Sequence, residues 1–157
     1  MAQTATMEEL KAKVLAFAEG FAAESGLEVT ARQVREEPES VLIAFEGADA
    51  RFLIGRGGQV LDAIQMVAIN AIAGQGRGRL HVTFDADGYR QRREKVLMDL
   101  AQELADQVAS SGQEAVLDPL PPLERRIVHR ALTERQDIQT YSEGEEPDRY
   151  IVIAPRQ

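Results

Sequence analysis

Apolar residues recur along this 157-residue chain in two periods, every third or fourth position over four long stretches and every second position in the short segments between them. Over residues 7–25, Leu10, Val14, Phe17, Ala18, Phe21 and Ala22 share one helix face, and Gly26 is placed as the stop. Leu27, Val29 and Ala31 then alternate with polar neighbours. Residues 36–40 (Glu-Glu-Pro-Glu-Ser) read as a turn and residues 41–45 as a short apolar run, so a two-stranded hairpin is predicted. A short helix over residues 48–54 leads into a glycine-rich turn. Beyond it Val60, Leu61, Ile64, Val67, Ala68, Ala71 and Ile72 keep helical spacing to about residue 73, and Leu80, Val82 and Phe84 alternate as a third strand.

The second half repeats the scheme with different proportions. Residues 88–110 predict a long helix with Val96, Leu97, Leu100, Ala101, Leu104, Ala105 and Val108 on one side, stopped by Gly112. After a brief strand at residues 115–117, the Pro-rich residues 118–122 set up a helix running to about residue 135. Its apolar arc is Leu123, Ile127, Val128, Ala131 and Leu132, and its basic arc is Arg125, Arg126, His129, Arg130 and Thr133; Glu124 falls among the apolar positions, where only its first-turn place near the helix dipole favours it. Two strands, residues 138–141 and 150–154, flank an acidic turn. The spacing of Glu143, Glu145, Glu146 and Asp148 fits no EF-hand loop, and a solvated hairpin tip is expected there.

The glycine turn holds the most informative chemistry. In Ile54-Gly55-Arg56-Gly57-Gly58 the glycines admit positive φ and close approach of another chain, and Arg56 places a full charge at the tip. A helix starts directly after it, so its N-terminal amides and dipole favour an anion such as a backbone phosphate. A mononucleotide P-loop would require a Gly-Lys pair, and the sequence contains none. Gly74-Gln75-Gly76-Arg77-Gly78 leads into a strand rather than a helix and reads as a connecting loop. There Arg77 and Arg79 either face a bound strand or are solvated loop charges.

Composition narrows the class. With 44% hydrophobic residues the chain can bury a core, and no apolar run approaches the ~20 residues of a membrane span. The absence of cysteine removes disulfides, thiolate catalysis and Cys-type zinc sites; with no export signal, a cytoplasmic protein without membrane insertion is expected. The net charge of −8 opposes nucleic-acid binding at first sight, but twelve of the eighteen basic residues lie between positions 51 and 135. Arg90, Arg92, Arg93 and Lys95 crowd the N-terminal turns of the long helix, against its macrodipole. They serve either a phosphate or simply a solvated face.

The order α-β-β-α-turn-α-β, with Gly55-Arg56-Gly57-Gly58 between the two middle helices, resembles the type II KH domain over residues 7–85. Arg125 and His129, one turn apart on a Pro-Pro-initiated helix after a long helix, resemble the Arg-x-x-x-His (R-3-H) domain over residues 88–156. Together they resemble the Jag (SpoIIIJ-associated, KhpB-like) family of bacterial RNA-binding proteins. The fold expected is therefore α+β in two small domains: a type II KH domain (α-β-β-α-α-β), then an Arg-x-x-x-His domain with a small sheet. The resemblance implies single-stranded RNA as partner, with single-stranded DNA the other admissible ligand. It further implies a small KH-only partner protein and a post-transcriptional role linked to cell-envelope growth, cell shape and division.

On that reading the backbone clamp is Ile54, Gly55, Arg56, Gly57 and Gly58, with Leu61 sharing an apolar floor with Ile54. Arg77, Arg79, Arg90, Arg92, Arg93, Arg126 and Arg130 supply further countercharge, Arg125 meets phosphate, and His129 stacks on a base. No cofactor, metal or catalytic residue is expected. The rival classes are a protein-binding adaptor whose acidic N-terminal third docks a basic partner and, far behind, a hydrolase using His81 or His129 as general base. No nucleophile-base-orienter set supports the last.

Overall fold

Thr6 starts the first helix. Its hydroxyl accepts from the Glu9 amide at 3.2 Å while the Glu9 carboxylate accepts from the Thr6 amide at 2.8 Å, a reciprocal cap on α1 (Met7–Glu24). In the computed structural model, which describes residues 5–72 and 80–157, the chain divides into two compact units, residues 1–90 and 91–157. Arg77 and Arg79 lie outside the described residues.

In the first unit α1 is followed by β1 (Thr30–Glu37), β2 (Ser40–Glu46), two 3-10 turns (Ala50–Leu53 and Arg56–Gly58), α2 (Gln59–Ala71) and β3 (His81–Ala86). The sheet order is β1-β2-β3, β1 antiparallel and β3 parallel to β2. A parallel pair needs a crossover, and the segment carrying the glycine turn and α2 supplies it. Alternation along β2 puts Val41, Ile43 and Phe45 inward, where they meet Leu10, Val14 and Ala18 of α1 and Leu61, Ile64 and Ala68 of α2. Phe17, Phe21, Phe45 and Phe84 form a chain of ring contacts through this core, with centroids 5.6–6.4 Å apart. The short helix expected over residues 48–54 is a 3-10 turn.

The second unit contains most of α3 (Tyr89–Ser111), then β4 (Ala115–Val116), α4 (Pro122–Ala131), β5 (Ile138–Glu143) and β6 (Tyr150–Pro155). Its sheet order is β4-β6-β5, antiparallel throughout. Leu97, Ala101, Ala105 and Val108 form the buried stripe of α3 and pack with Val128, Leu132, Ile138, Ile151 and Ile153. The chain is thus a two-domain α+β protein with a small sheet in each part.

Two local expectations need correction. The apolar arcs drawn from spacing are wider than the faces the fold buries: Val67, Val96, Leu100 and Leu123 are exposed. α4 stops at Ala131 rather than near residue 135, because Leu132 and Thr133 turn their amides to His129 and Arg130 in tighter i−3 bonds. Separately, Tyr89 and Arg90, at the start of α3, fall within the first compact unit.

Candidate nucleic-acid interface

The glycine turn uses its three glycines differently. Gly55 (φ 72°, ψ −176°), Gly57 (φ 59°, ψ 22°) and Gly58 (φ 83°, ψ 12°) all occupy positive φ. A Cβ on Gly55 would stand 2.5 Å from Val60 Cγ2 and 2.9 Å from the Val60 amide nitrogen, and one on Gly58 would stand 2.9 Å from the Tyr89 ring. Both are demanded by internal packing. A Cβ on Gly57 would meet nothing within 4 Å, so this residue is the open point of the turn.

The start of α2 is less available than a free helix terminus. Val60 and Leu61 amides donate to the Ile54 carbonyl, Gln59 to Arg56 and Gly58 to Gly55. The backbone amides left for an external acceptor are therefore those of the exposed tip, residues 55–57. The Arg56 side chain is exposed and has no hydrogen bond or ion pair among the described residues. Leu61 is 0% exposed, which removes it from the apolar floor; Ile54 is half-buried. Sequence reading passed over two neighbours of the turn. One is Tyr89, which packs on Gly58; the other is Phe52, 55% exposed, with the Arg51 guanidinium 4.9 Å from its ring centroid.

The basic cluster at the start of α3 is largely spent inside the protein. Arg90 donates from Nε to the Phe84 carbonyl at 3.0 Å, from Nη1 to Asp62 at 2.9 Å and from Nη2 to Gln65 at 3.3 Å. Arg93 grips both oxygens of Glu124, Nε to Oε1 at 2.9 Å and Nη2 to Oε2 at 3.0 Å. That pair is why Glu124 sits among apolar positions of α4, and these contacts offset the unfavourable dipole. Arg92 is exposed and Lys95 pairs loosely with Asp99 at 3.6 Å.

α4 does not present one basic face. Arg125 is 7% exposed; it donates to the Leu120 carbonyl and closes on the Glu146 carboxylate with both terminal nitrogens. Arg126 and Arg130 are exposed and have no side-chain partner among the described residues. His129, half-buried, has Nδ1 at 2.8 Å from Thr140 Oγ1 and Nε2 at 3.0 Å from Ser142 Oγ, so its polar edge is taken up by β5. Burial, and secondarily the Arg125 charge, hold its pKa below the ordinary 6.5. The Ser142 hydroxyl beside a histidine is no nucleophile-base set, since the second ring nitrogen faces Thr140 rather than an orienting carboxylate. His81 is exposed beside the turn at residues 37–40.

Among the described residues no group of three or more His, Asp or Glu side chains can hold a metal, and no helix is long and apolar enough to cross a membrane.

The fold is that of a two-domain α+β protein, and the family model of the R-3-H domain matches residues 95–155, within its second unit. The chain is 37% identical over 129 residues to RNA-binding protein KhpB of Bacillus subtilis, covering 79% of this chain and 61% of that protein. It is 34% identical over 113 residues to RNA-binding protein KhpB of Lactiplantibacillus plantarum (72% and 35%) and 29% identical over 147 residues to that of Streptococcus pneumoniae (94% and 44%). The chain matches the KhpB/Jag family. It spans less than two thirds of the length of each of these relatives.

Proposed function

We propose that the protein binds single-stranded RNA through two separate sites, one on a KH domain over residues 7–85 and one on an Arg-x-x-x-His domain over residues 88–156. The observation that carries the reading is the exposed tip of residues 55–57, an open glycine in positive φ beside an arginine with no internal partner among the described residues. Phosphate oxygens approach the tip amides, Arg56 neutralises them, and the exposed Phe52 ring offers a base a stacking surface. In the second domain Arg126 and Arg130 meet phosphate. His129, its edge committed to Thr140 and Ser142, offers only its ring face. Arg125 is a structural residue that positions this helix.

Each site is small, so affinity rests on their joint use along one strand. The scarcity of aromatic residues, 5% of the chain, gives modest sequence selectivity. The family resemblance extends the proposal to post-transcriptional regulation tied to envelope growth and division, with a small KH-only protein as partner. Titrating labelled single-stranded RNA into the intact chain across a salt series tests the reading. Binding that weakens linearly in log salt supports it, and no binding at low salt contradicts it.

A further inference from the structure

The solvent side of the second sheet carries side chains that the nucleic-acid reading leaves unused. β6 is its central strand, with Ile151 and Ile153 facing the core and Tyr150, Val152 and Ala154 facing outward. On the same outer side Glu143 stands opposite Tyr150, Tyr141 opposite Val152, and Val116 of β4 against Val152 from the other edge. The Tyr141 hydroxyl donates to Glu114 at 3.4 Å. Glu114 precedes β4, on the far side of β6, so the Tyr141 ring crosses β6 to reach it. This explains why Val152 is only 2% exposed although it faces away from the core.

The result is an aromatic surface rimmed by carboxylates. Tyr150 donates to Glu143 at 3.1 Å, and Val116, across β6 from Tyr141, is 59% exposed. Both phenols are pushed above their ordinary pKa, Tyr141 chiefly by burial and Tyr150 chiefly by its bond to Glu143, so they stay neutral donors. The exposed Glu145 and Asp148 add negative charge at the hairpin tip. Arg149, in the same hairpin, turns its guanidinium to the carbonyls of Gly144 and Ser142.

This chemistry selects a cation with an apolar stem. Ring faces attract a guanidinium, each carboxylate has acceptor capacity beyond its phenol, and Val116 covers a methylene chain. The same carboxylates repel RNA phosphate, and a net charge of −8 disfavours a second copy of this chain. We infer that the outer face of the second sheet is a docking surface for an arginine-bearing, basic segment of a partner protein, received by Tyr141, Tyr150 and Val116 between Glu114 and Glu143.

The probe is a peptide of about twelve residues with arginine at alternate positions, which an extended strand presents on one side. Its control carries neutral, near-isosteric citrulline at those positions. Amide chemical shifts of the intact chain should move saturably at Val116, Tyr141, Tyr150 and Val152 with the arginine peptide and stay still with the citrulline one. The exposed pair of changes Glu114→Gln and Glu143→Gln should weaken binding by about fivefold or more while leaving the rest of the spectrum native. Shifts scattered over other acidic surface, an equal response to citrulline, or affinity unchanged in the double variant would each overturn the inference. So would a short single-stranded RNA that moves these same amides, since the face would then be a nucleic-acid surface.

Discussion

The Arg125 guanidinium closes on the Glu146 carboxylate and at the same time donates to the Leu120 carbonyl, tying the start of α4 to the hairpin between β5 and β6. Arg125→Ala strands that carbonyl and removes the partner of a half-exposed carboxylate. A loss of roughly 1–3 kcal/mol is expected, the exposure of Glu146 keeping it below the cost of breaking a fully buried pair. Urea melts of the wild type and the variant measure it. The slope of RNA affinity against salt should be unchanged where both are folded.

Arg126 and Arg130 should behave in the opposite way. Replacing both by Ala breaks no hydrogen bond or ion pair among the described residues, so stability should hold within about 0.5 kcal/mol. On a single strand, each phosphate left without its countercharge flattens the salt slope by about 0.7. An RNA titration across salt reads a fall of about 1.4 if both arginines meet phosphate.

His129 gives the second unit a pH dependence whose sign is fixed by its depressed pKa. The folded state resists protonation that the unfolded state accepts. Its contribution is therefore complete above the ordinary pKa of about 6.5 and declines as pH falls from there through the lower folded value. Paired carboxylates such as Asp137 lose their contribution in a more acidic range. Urea midpoints at pH 7.5 and 5.5 should differ more for the wild type than for His129→Gln, and equal differences would remove His129 as the source.

The glycines should separate by role. Gly55→Ala and Gly58→Ala combine positive φ with approaches below 3.0 Å to Val60 and Tyr89, and each should lower stability by about 1–3 kcal/mol. Gly57→Ala meets open space and should cost only the φ penalty, about 1 kcal/mol. Thermal melts of the three variants test the order.

Periodicity made the helices legible because burial selects the same face that spacing marks, as Leu10, Val14 and Ala18 show in α1. It overstated the width of those faces, since Val96 and Leu123 fit the arc but stay exposed. The glycine turn was legible as a unit, yet nothing local distinguished the open Gly57 from Gly58, whose constraint comes from Tyr89, more than thirty residues away in sequence. Arginine pairing was the least legible feature. Arg93 and Glu124, or Arg125 and Glu146, meet only after the fold forms, so a run of basic residues reads alike whether it is spent internally or offered to a ligand.

The central claim is that the tip of residues 55–57 grips RNA, and Arg56→Asp with Gly57→Asp tests it most directly. The tip is exposed, and Asp tolerates the near-αL conformation of Gly57, so the fold should survive. Anisotropy titration with single-stranded RNA, alongside circular dichroism of the same sample, should show a native spectrum and affinity lower by about tenfold or more as carboxylates face phosphate. Unchanged affinity with a native spectrum would contradict the account and reduce the glycine turn to a helix connector.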